Sequence, residues 1–308
     1  KMLIGNNRII VIDEAQRVSE IGLTLKRITD NFTNVQLLVT GSSSFELQSN
    51  LSEPLTGRKY EYHLYPISTA ELYDSQGLLP VKQMFESRLI YGSYPDIINH
   101  TDEAKELLMN IANSYLYKDL LAMNEIRRPI LLEKLLIALA LQVGSEVSYN
   151  EVAQTIGTDN KTVEKYIDLL EKCYVIFRLN AFNRNLRTEL KKSKKIYFYD
   201  NGIRNAVIQN FAPLSLRQDT GALWENFFIS ERIKANHYNG NYAKSFFWRT
   251  TQQQEIDYIE EADGNFTAFE MKWNPNKRPI TFPSPFLNNY PVKETVVITP
   301  ENYLEWVM

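Results

Sequence analysis

Cysteine is almost missing from this sequence: Cys173 is the single one in 308 residues. An internal disulfide is therefore excluded, and a reducing, cytoplasmic setting is the natural expectation. Histidine is nearly as sparse. His63, His100 and His237 lie far apart, and their spacing predicts neither a zinc site nor a catalytic histidine pair. An excess of one charge is lacking too: 34 Lys and Arg against 37 Asp and Glu leave a net charge of −3. That rules out a globally basic nucleic-acid binder and leaves room only for a local basic patch. Long apolar runs are absent; the longest, around residues 131–143, carries Glu133 and Lys134 and is too short to span a bilayer. The opening residues lack a secretory pattern and lead straight into a strand. No internal repeat or low-complexity stretch is visible.

What remains is an ordinary globular composition, 44% hydrophobic and 23% charged, with length for two or three domains. Ile9-Ile10-Val11-Ile12 predicts a strand buried on both faces of a parallel sheet. Residues 35–39 predict a second, ending at Thr40-Gly41-Ser42-Ser43-Ser44, and residues 18–30 have helical spacing between them, so the opening reads β-α-β. Little sequence precedes the first strand, and the expectation is of a sheet entered in mid-fold, with a segment missing ahead of it. Residues 60–64 predict a short third strand closed by Pro66. A helix-rich stretch from Ser68 to about Asn124 is broken at Gly77 and Gly92.

The next segment changes character. Residues 131–143 predict an apolar helix. Ser148-Tyr149-Asn150-Glu151 is a capping box opening a second helix, stopped at Gly157. Residues 160–174 predict a third, with Val163, Tyr166, Ile167 and Leu170 on one face. Strands at 175–182 and 196–200, joined by a basic tip, complete a winged helix-turn-helix pattern. From Gly221 onward a helix at 222–235 precedes strands at 245–249, 255–259 and 266–272, with Gly264 in the last turn and one more strand at 295–299.

Three groups of residues carry candidate chemistry. Asp13 and Glu14 follow four apolar residues, as in a Walker B strand: Asp13 placed at the sheet edge to bind Mg²⁺ on a nucleotide, Glu14 to polarise water. The bland alternative is a buried strand ending in a solvated acidic turn. Ser42 or Ser43 would position water beside the γ-phosphate, or simply form a turn. Arg58 would reach a phosphate in cis or from a neighbouring subunit, or make a surface ion pair. In the second group, strand alternation puts Glu270 and Lys272 on one face. Asp257 and Glu270 are candidate Mg²⁺ ligands, with Lys272 polarising water or a phosphate oxygen and Glu225 on the preceding helix. The alternative is an exposed, charge-alternating strand. The third group is Arg184, Arg187, Lys191, Lys192, Lys194 and Lys195 at the wing tip, with Asn160, Lys161, Thr162 and Lys165 facing a groove. Asp159, Glu164, Asp168 and Glu171 on the same helix weaken that reading, and a protein-binding or spacer role stays open. Tyr197 and Tyr199 alternate on a strand and read as core.

Taken in order, the Ile9–Gln16 stretch, Leu38-Val39-Thr40-Gly41-Ser42-Ser43, Gly57-Arg58 and Leu64-Tyr65-Pro66-Ile67-Ser68 resemble a family of bacterial and archaeal AAA-like P-loop ATPases. Tyr91-Gly92-Ser93-Tyr94-Pro95, Tyr115-Leu116-Tyr117-Lys118-Asp119-Leu120, Gly221-Ala222-Leu223-Trp224-Glu225-Asn226 and Phe269-Glu270-Met271-Lys272 fall where that family's C-terminal domain of unknown function places them. The resemblance implies ATP and Mg²⁺ as cofactors, with Ser43 and Arg58 sensing or stabilising the γ-phosphate. The phosphate-cradling GxxxxGK[ST] loop is not in this sequence, so hydrolysis is implied for an intact parent and not for these residues alone. The order of helix, Asp and Glu-x-Lys resembles the PD-(D/E)xK nuclease superfamily.

The expected fold is α/β in four stretches: a partial RecA-like P-loop ATPase sheet (1–68), a helical linker (69–128), a winged helix-turn-helix (129–204) and a restriction-endonuclease-like α/β domain (205–308). Expected partners are DNA through the wing, or another protein or a second copy, and no membrane. A metal-dependent nuclease and a non-catalytic binding module are the rival functions.

Overall fold

The computed structural model describes residues 7–18, 20–41, 57–116, 128–182, 194–274 and 280–308. It is mixed α/β. At the N-terminal end, β1 (Ile9–Ile12), α1 (Ile21–Asn31) and β2 (Gln36–Val39) form a parallel β-α-β unit in the register Ile9↔Gln36 to Ile12↔Val39. Ile12, Leu37 and Val39 pack on Ala15, Ile21 and Leu25. No described residue covers the opposite face: Ile9 and Val11 are each 61% exposed and Leu38 48%. The expectation of strands buried on both faces is thus corrected, because one helix covers only one side of a period-2 pleat.

Residues 60–64 are extended but have no strand partner among the described residues, which corrects the predicted third strand. Alternation still governs them. Tyr60, Tyr62 and Leu64 point to solvent, while His63 and Tyr65 pack among Tyr174, Tyr199, His237 and Tyr238.

A run of short helices follows: α2 (Thr69–Gln76), α3 (Leu78–Gln83), α4 (Phe85–Tyr91), α5 (Pro95–Asn99) and α6 (Ala104–Asn110). Ser68 and Glu71 close a reciprocal capping box on α2. Gly77 and Gly92 end helices at φ 83 and 78, the positive region that glycine enters freely.

Then come α7 (Pro129–Leu141), β3 (Glu146–Val147), α8 (Tyr149–Ile156), α9 (Asn160–Lys172), β4 (Ile176–Ala181) and β5 (Lys194–Phe198). Ser148 caps α8 through the Glu151 amide, and Asp159 caps α9 through Thr162. Beyond them lie α10 (Asn201–Val207), α11 (Thr220–Tyr238), β6 (Lys244–Arg249), β7 (Glu255–Ala262), β8 (Asn265–Met271), α12 (Ser284–Asn289), β9 (Val292–Ile298) and α13 (Leu304–Val307). The two-residue β3 and the α10 helix were not predicted.

One seven-stranded sheet runs β3-β5-β4-β6-β7-β8-β9. β4 pairs antiparallel with β5 and parallel with β6 through Asn180↔Phe246 and Ala181↔Phe247. The 176–198 hairpin and the C-terminal strands therefore share a sheet across residues 204 and 205. The main apolar cluster likewise spans α7, α9, β4, β5 and α11, with Trp224, Phe228 and Phe269 at its centre. Among the described residues no helix is long and apolar enough to cross a membrane.

Within this core lies a network of buried charge. Glu231 of α11 is 2% exposed and accepts from Lys234 Nζ at 2.8 Å, Thr69 N at 2.5 Å and Thr69 Oγ1 at 2.6 Å, with Arg88 Nη2 at 3.3 Å. Burial alone would raise its carboxyl, but Lys234 and Arg88 hold it down to about 2. Asp200 caps α10 through Ile203 N and also accepts from Ser93 N at 2.7 Å. Its oxygen would lie 1.9 Å from a Cβ placed on Gly92, and a Cβ on Gly202 would lie 2.1 Å from Tyr91 O. Glycine at position 92 makes room for the Asp200 carboxylate, and glycine at 202 lets that backbone approach the Tyr91 carbonyl.

Two outcomes follow from this network. Gly92→Ala forces a clash at a positive φ and is expected to cost about 3 kcal/mol or more in chemical denaturation; a change below about 0.5 kcal/mol would refute the contact. Glu231→Gln leaves Arg88 and Lys234 short of their shared counter-charge and is expected to cost about 3–5 kcal/mol. Because the Glu231 carboxyl is depressed in the fold, its contribution is present above its ordinary value of 4.5 and is lost as pH falls towards about 2. Acid unfolding of Glu231→Gln is therefore expected to be shallower than that of the wild type across this window.

Candidate functional site

At the C-terminal edge of β1, Asp13 is exposed and its Oδ1 accepts from Glu14 N at 3.1 Å and from the Thr40 hydroxyl. Thr40 ends β2 and is tied to β1 by Thr40 N→Ile12 O at 2.9 Å and Ala15 N→Thr40 O at 3.0 Å. The parallel pairing thus delivers a carboxylate and a hydroxyl to one strand edge. Both are the hard oxygen donors that Mg²⁺ takes. Glu14 adopts left-handed φ 52, and Arg17 Nε pairs with its carboxylate at 3.3 Å. Ser42 and Ser43 lie outside the described residues.

Arg58 is not brought to this edge. Its guanidinium pairs with Asp30 in the last turn of α1, and α1 runs back from the Asp13 edge to the opposite end of the strands. Of the two roles read for Arg58 from sequence, the surface ion pair is the one the side chain makes here.

The second site lies on one face of β5, β7 and β8, beneath α11. The Tyr258↔Phe269 register sets Asp257 opposite Glu270, and alternation adds Glu255 and Lys272 to the same face. Lys272 Nζ lies 2.8 Å from Glu270 Oε2 and 3.7 Å from Asp257 Oδ2, which also accepts from Met271 N at 3.1 Å. From above, α11 contributes Glu225, whose Oε1 accepts from the Tyr197 hydroxyl at 2.6 Å and from Lys195 Nζ at 3.3 Å. Lys195 also pairs with Glu255 at 2.6 Å, and Arg249 links Glu255 (3.7 Å) to Glu146 (2.5 Å).

Lys195 is thereby corrected. It was expected at the wing tip among phosphate-binding residues, yet it is 2% exposed and points into the acidic cluster. Consecutive residues of β5 face opposite sides: Lys194 turns outward, with its Nζ 5.1 Å from the Tyr149 ring centre, while Lys195 and Tyr197 turn inward. Strand periodicity held this information, but the basic run around residues 191–195 masked it. Glu255, Arg249 and Glu146 were missed for a different reason, since no local pattern announces a cross-strand pair.

The electrostatics of the cluster are strained. Burial pushes Glu225 up to about 7, with Asp257 adding to the shift against Lys195 and the Tyr197 hydroxyl. Burial likewise pushes Glu270 up to about 7, Asp257 adding again and Lys272 opposing. Lys195 is held above its ordinary range because Glu225, Asp257 and Glu255 together outweigh its burial. Among the described residues no group of three or more His, Cys, Asp or Glu is arranged to hold a metal ion. The Asp257–Glu270 pair remains as a two-carboxylate donor set, which suffices for Mg²⁺ because that ion keeps several waters.

On the third candidate surface, Arg184, Arg187, Lys191 and Lys192 lie outside the described residues. Lys161 and Lys165 are exposed on α9. Asn160 Nδ2 donates to Asn150 Oδ1 at 2.6 Å, and Thr162 is engaged in the Asp159 cap. Asp168 and Glu171 both pair with Arg178 of β4, so two of the acids that weakened a nucleic-acid reading are answered within the fold. Tyr197 is fully buried and Tyr199 packs against Tyr65 and Phe177; neither is placed to stack on bases.

Three segments match known families: residues 1–73 an AAA domain, residues 82–214 a domain of unknown function (DUF8612), and residues 220–305 a domain of unknown function (DUF4143). The second match runs across residues 128 and 129. The AAA match followed by the C-terminal domain supports a relation to AAA-like ATPases that carry a C-terminal domain of unknown function. Similar curated proteins are themselves uncharacterized. One from Haemophilus influenzae is 28% identical over 64% of this chain and 52% of its own length. One from Mycobacterium tuberculosis is 26% identical over 88% of this chain and 60% of its own, and one from Methanocaldococcus jannaschii 23% identical over 83% and 59%. The chain thus spans between about half and three fifths of the length of these relatives. No solved structure matches it.

The raised carboxyls carry a stability signature. A group whose folded value of about 7 exceeds its ordinary 4.5 lends stability that is fully present below 4.5 and is lost as pH rises through about 7. The wild-type free energy of unfolding is expected to fall between about pH 5 and about pH 8, and Glu270→Gln to flatten that fall by roughly 1–3 kcal/mol. Identical pH profiles for the two proteins would contradict the strained cluster.

Proposed function

We propose that this chain carries the carboxylate half of the nucleotide site of an AAA-like ATPase, joined to a C-terminal output body. The observation that carries the reading is the parallel β-α-β unit with Asp13 at its C-terminal edge, hydrogen-bonded by Thr40 from the adjacent strand. In this reading the unit is part of a RecA-like sheet. Asp13 holds Mg²⁺, Glu14 takes the proton of the attacking water, and Mg²⁺ supplies neutralisation of the phosphate charge. The 308 residues contain no Gly-Lys-Ser/Thr loop, so hydrolysis is assigned to a longer chain that provides one, in the cytoplasm. The helices α7, α8 and α9 with the β3-β5-β4 strands are read as a winged helix, with DNA as its proposed partner. In a protein that joins such a loop to this segment, Glu14→Gln is expected to lower kcat for ATP about 10²–10⁴-fold with ATP still bound; unchanged turnover would remove the assignment.

A second reading is favoured by one observation: Asp257, Glu270 and Lys272 meet on one face of β7 and β8. That face supports a nuclease-like site in which the two carboxylates would hold Mg²⁺ and Lys272 would steady a phosphate oxygen or a water. Plasmid nicking that depends on Mg²⁺ or Mn²⁺ and falls at least about 10²-fold in Lys272→Ala is the expected outcome. Absence of cleavage, or cleavage unchanged in the variant, counts against it and leaves a non-catalytic binding module.

A further inference from the structure

The acidic cluster holds a resident cation that neither reading uses. Lys195 reaches it from β5, an element of the hairpin and not of the β7–β8 face. Its Nζ contacts Glu255 at 2.6 Å and Glu225 at 3.3 Å, and lies 5.4 Å from the Phe247 ring centre. Its side chain is only 3% exposed, so it cannot swing into solvent as Lys272, at 37%, can. Glu225 is further fixed by the Tyr197 hydroxyl, and the second oxygen of Glu255 faces Arg249.

Two of the four carboxylates around the site are therefore already committed to protein cations. The other two, Asp257 and Glu270, hydrogen-bond each other and share Lys272, a cation that is 37% exposed and can move aside, while Asp257 also accepts from the Met271 amide. A second ion between Glu225 and Glu255 would have to displace a buried ammonium and would be repelled by it.

We propose that Lys195 is a positioning residue that stands in for a second cation, limiting the site to one divalent ion, held by Asp257 and Glu270. The inference rests on the nuclease-like reading and adds to it a stoichiometry and a residue from another element.

The experiment counts tight Mn²⁺ by electron paramagnetic resonance at a fixed, mildly alkaline pH, taking as site ions those lost in Asp257→Asn or in Glu255→Gln. The wild type is expected to hold a single such ion. Lys195→Met is expected to gain a second, bound at least about tenfold more tightly than any second ion of the wild type, since it frees Glu225 and Glu255 and removes the repelling charge. Lys195→Arg restores the fixed charge and is expected to return the count to one. A lysine with a merely structural role would lose ions on replacement, not gain one.

Two site ions in the wild type, or an unchanged count in folded Lys195→Met, overturns the role of Lys195 and leaves the nuclease-like reading standing. No site ion in the wild type overturns both. Should Lys195→Met fail to fold, the wild-type count and Lys195→Arg decide: two ions in either overturns the proposal.

Discussion

The structure depends on a carboxylate that has no access to water. Glu231 sits mid-way along α11, and a charge in that position is tolerated only when partners surround it. Those partners come from two places. Lys234 lies one turn along the same helix, while Arg88 and Thr69 belong to the short-helix region. Arg88 in turn donates to Ser93 Oγ and Thr69 Oγ1, both at 2.9 Å. Docking of the short helices on α11 is therefore an electrostatic requirement as much as an apolar one. The Asp200 carboxylate seated against Gly92, with Gly202 against the Tyr91 carbonyl, extends the same junction, and Asn226 carries it on to β5 by bridging Phe198 N, Phe198 O and Asn201.

From that junction the acidic site is assembled. With α11 held in place, Asn226 clamps it to β5, and the preceding residue, Glu225, meets Lys195 and Tyr197. The sheet supplies the remainder, because β4 joins the hairpin to β6 and so fixes β5 relative to β7 and β8. The residues that meet in the cluster are distributed over some 75 positions of sequence, between Lys195 and Lys272. None of the elements holds a complete set of partners by itself.

How much of this was legible beforehand follows from which interactions are local. The helix cap at Ser148, breaks at Gly77 and Gly92, and the period-2 face of Glu270 and Lys272 are written within a few residues, and they were readable; the caps at Ser68 and Asp159 are as local but were not read. Opposition of Asp257 to Glu270 needed only the turn at Gly264. Lys195 was misassigned because a run of basic residues looks like a solvated tip, although its alternation with Lys194 put it on the Tyr197 side. The burial of β1 and β2 on both faces was overread, since an apolar strand states what it tolerates and not what covers it. The joining of β4 to β6 had no sequence signal at all: two residues on each strand make the pair, and they lie more than sixty positions apart. The same holds for Arg249 reaching Glu146.

Strand alternation gives β5 two separate duties. Lys194 stacks outward on Tyr149 of α8, and Lys195, one residue on, neutralises Glu225 and Glu255 inside. A shift of β5 that brought Ile196 to this place would withdraw the ammonium from the cluster and turn Lys195 to the outer face. Buried carboxylates left without that charge would take up protons or draw in other cations. The register of the hairpin and the charge state of the cluster are therefore one variable. Register is pinned from both edges of β5, by β3 through Glu146↔Lys195 and by β4 through Leu179↔Lys195. The two-residue β3, too short to matter as a strand, matters as the element that locks Lys195 in place.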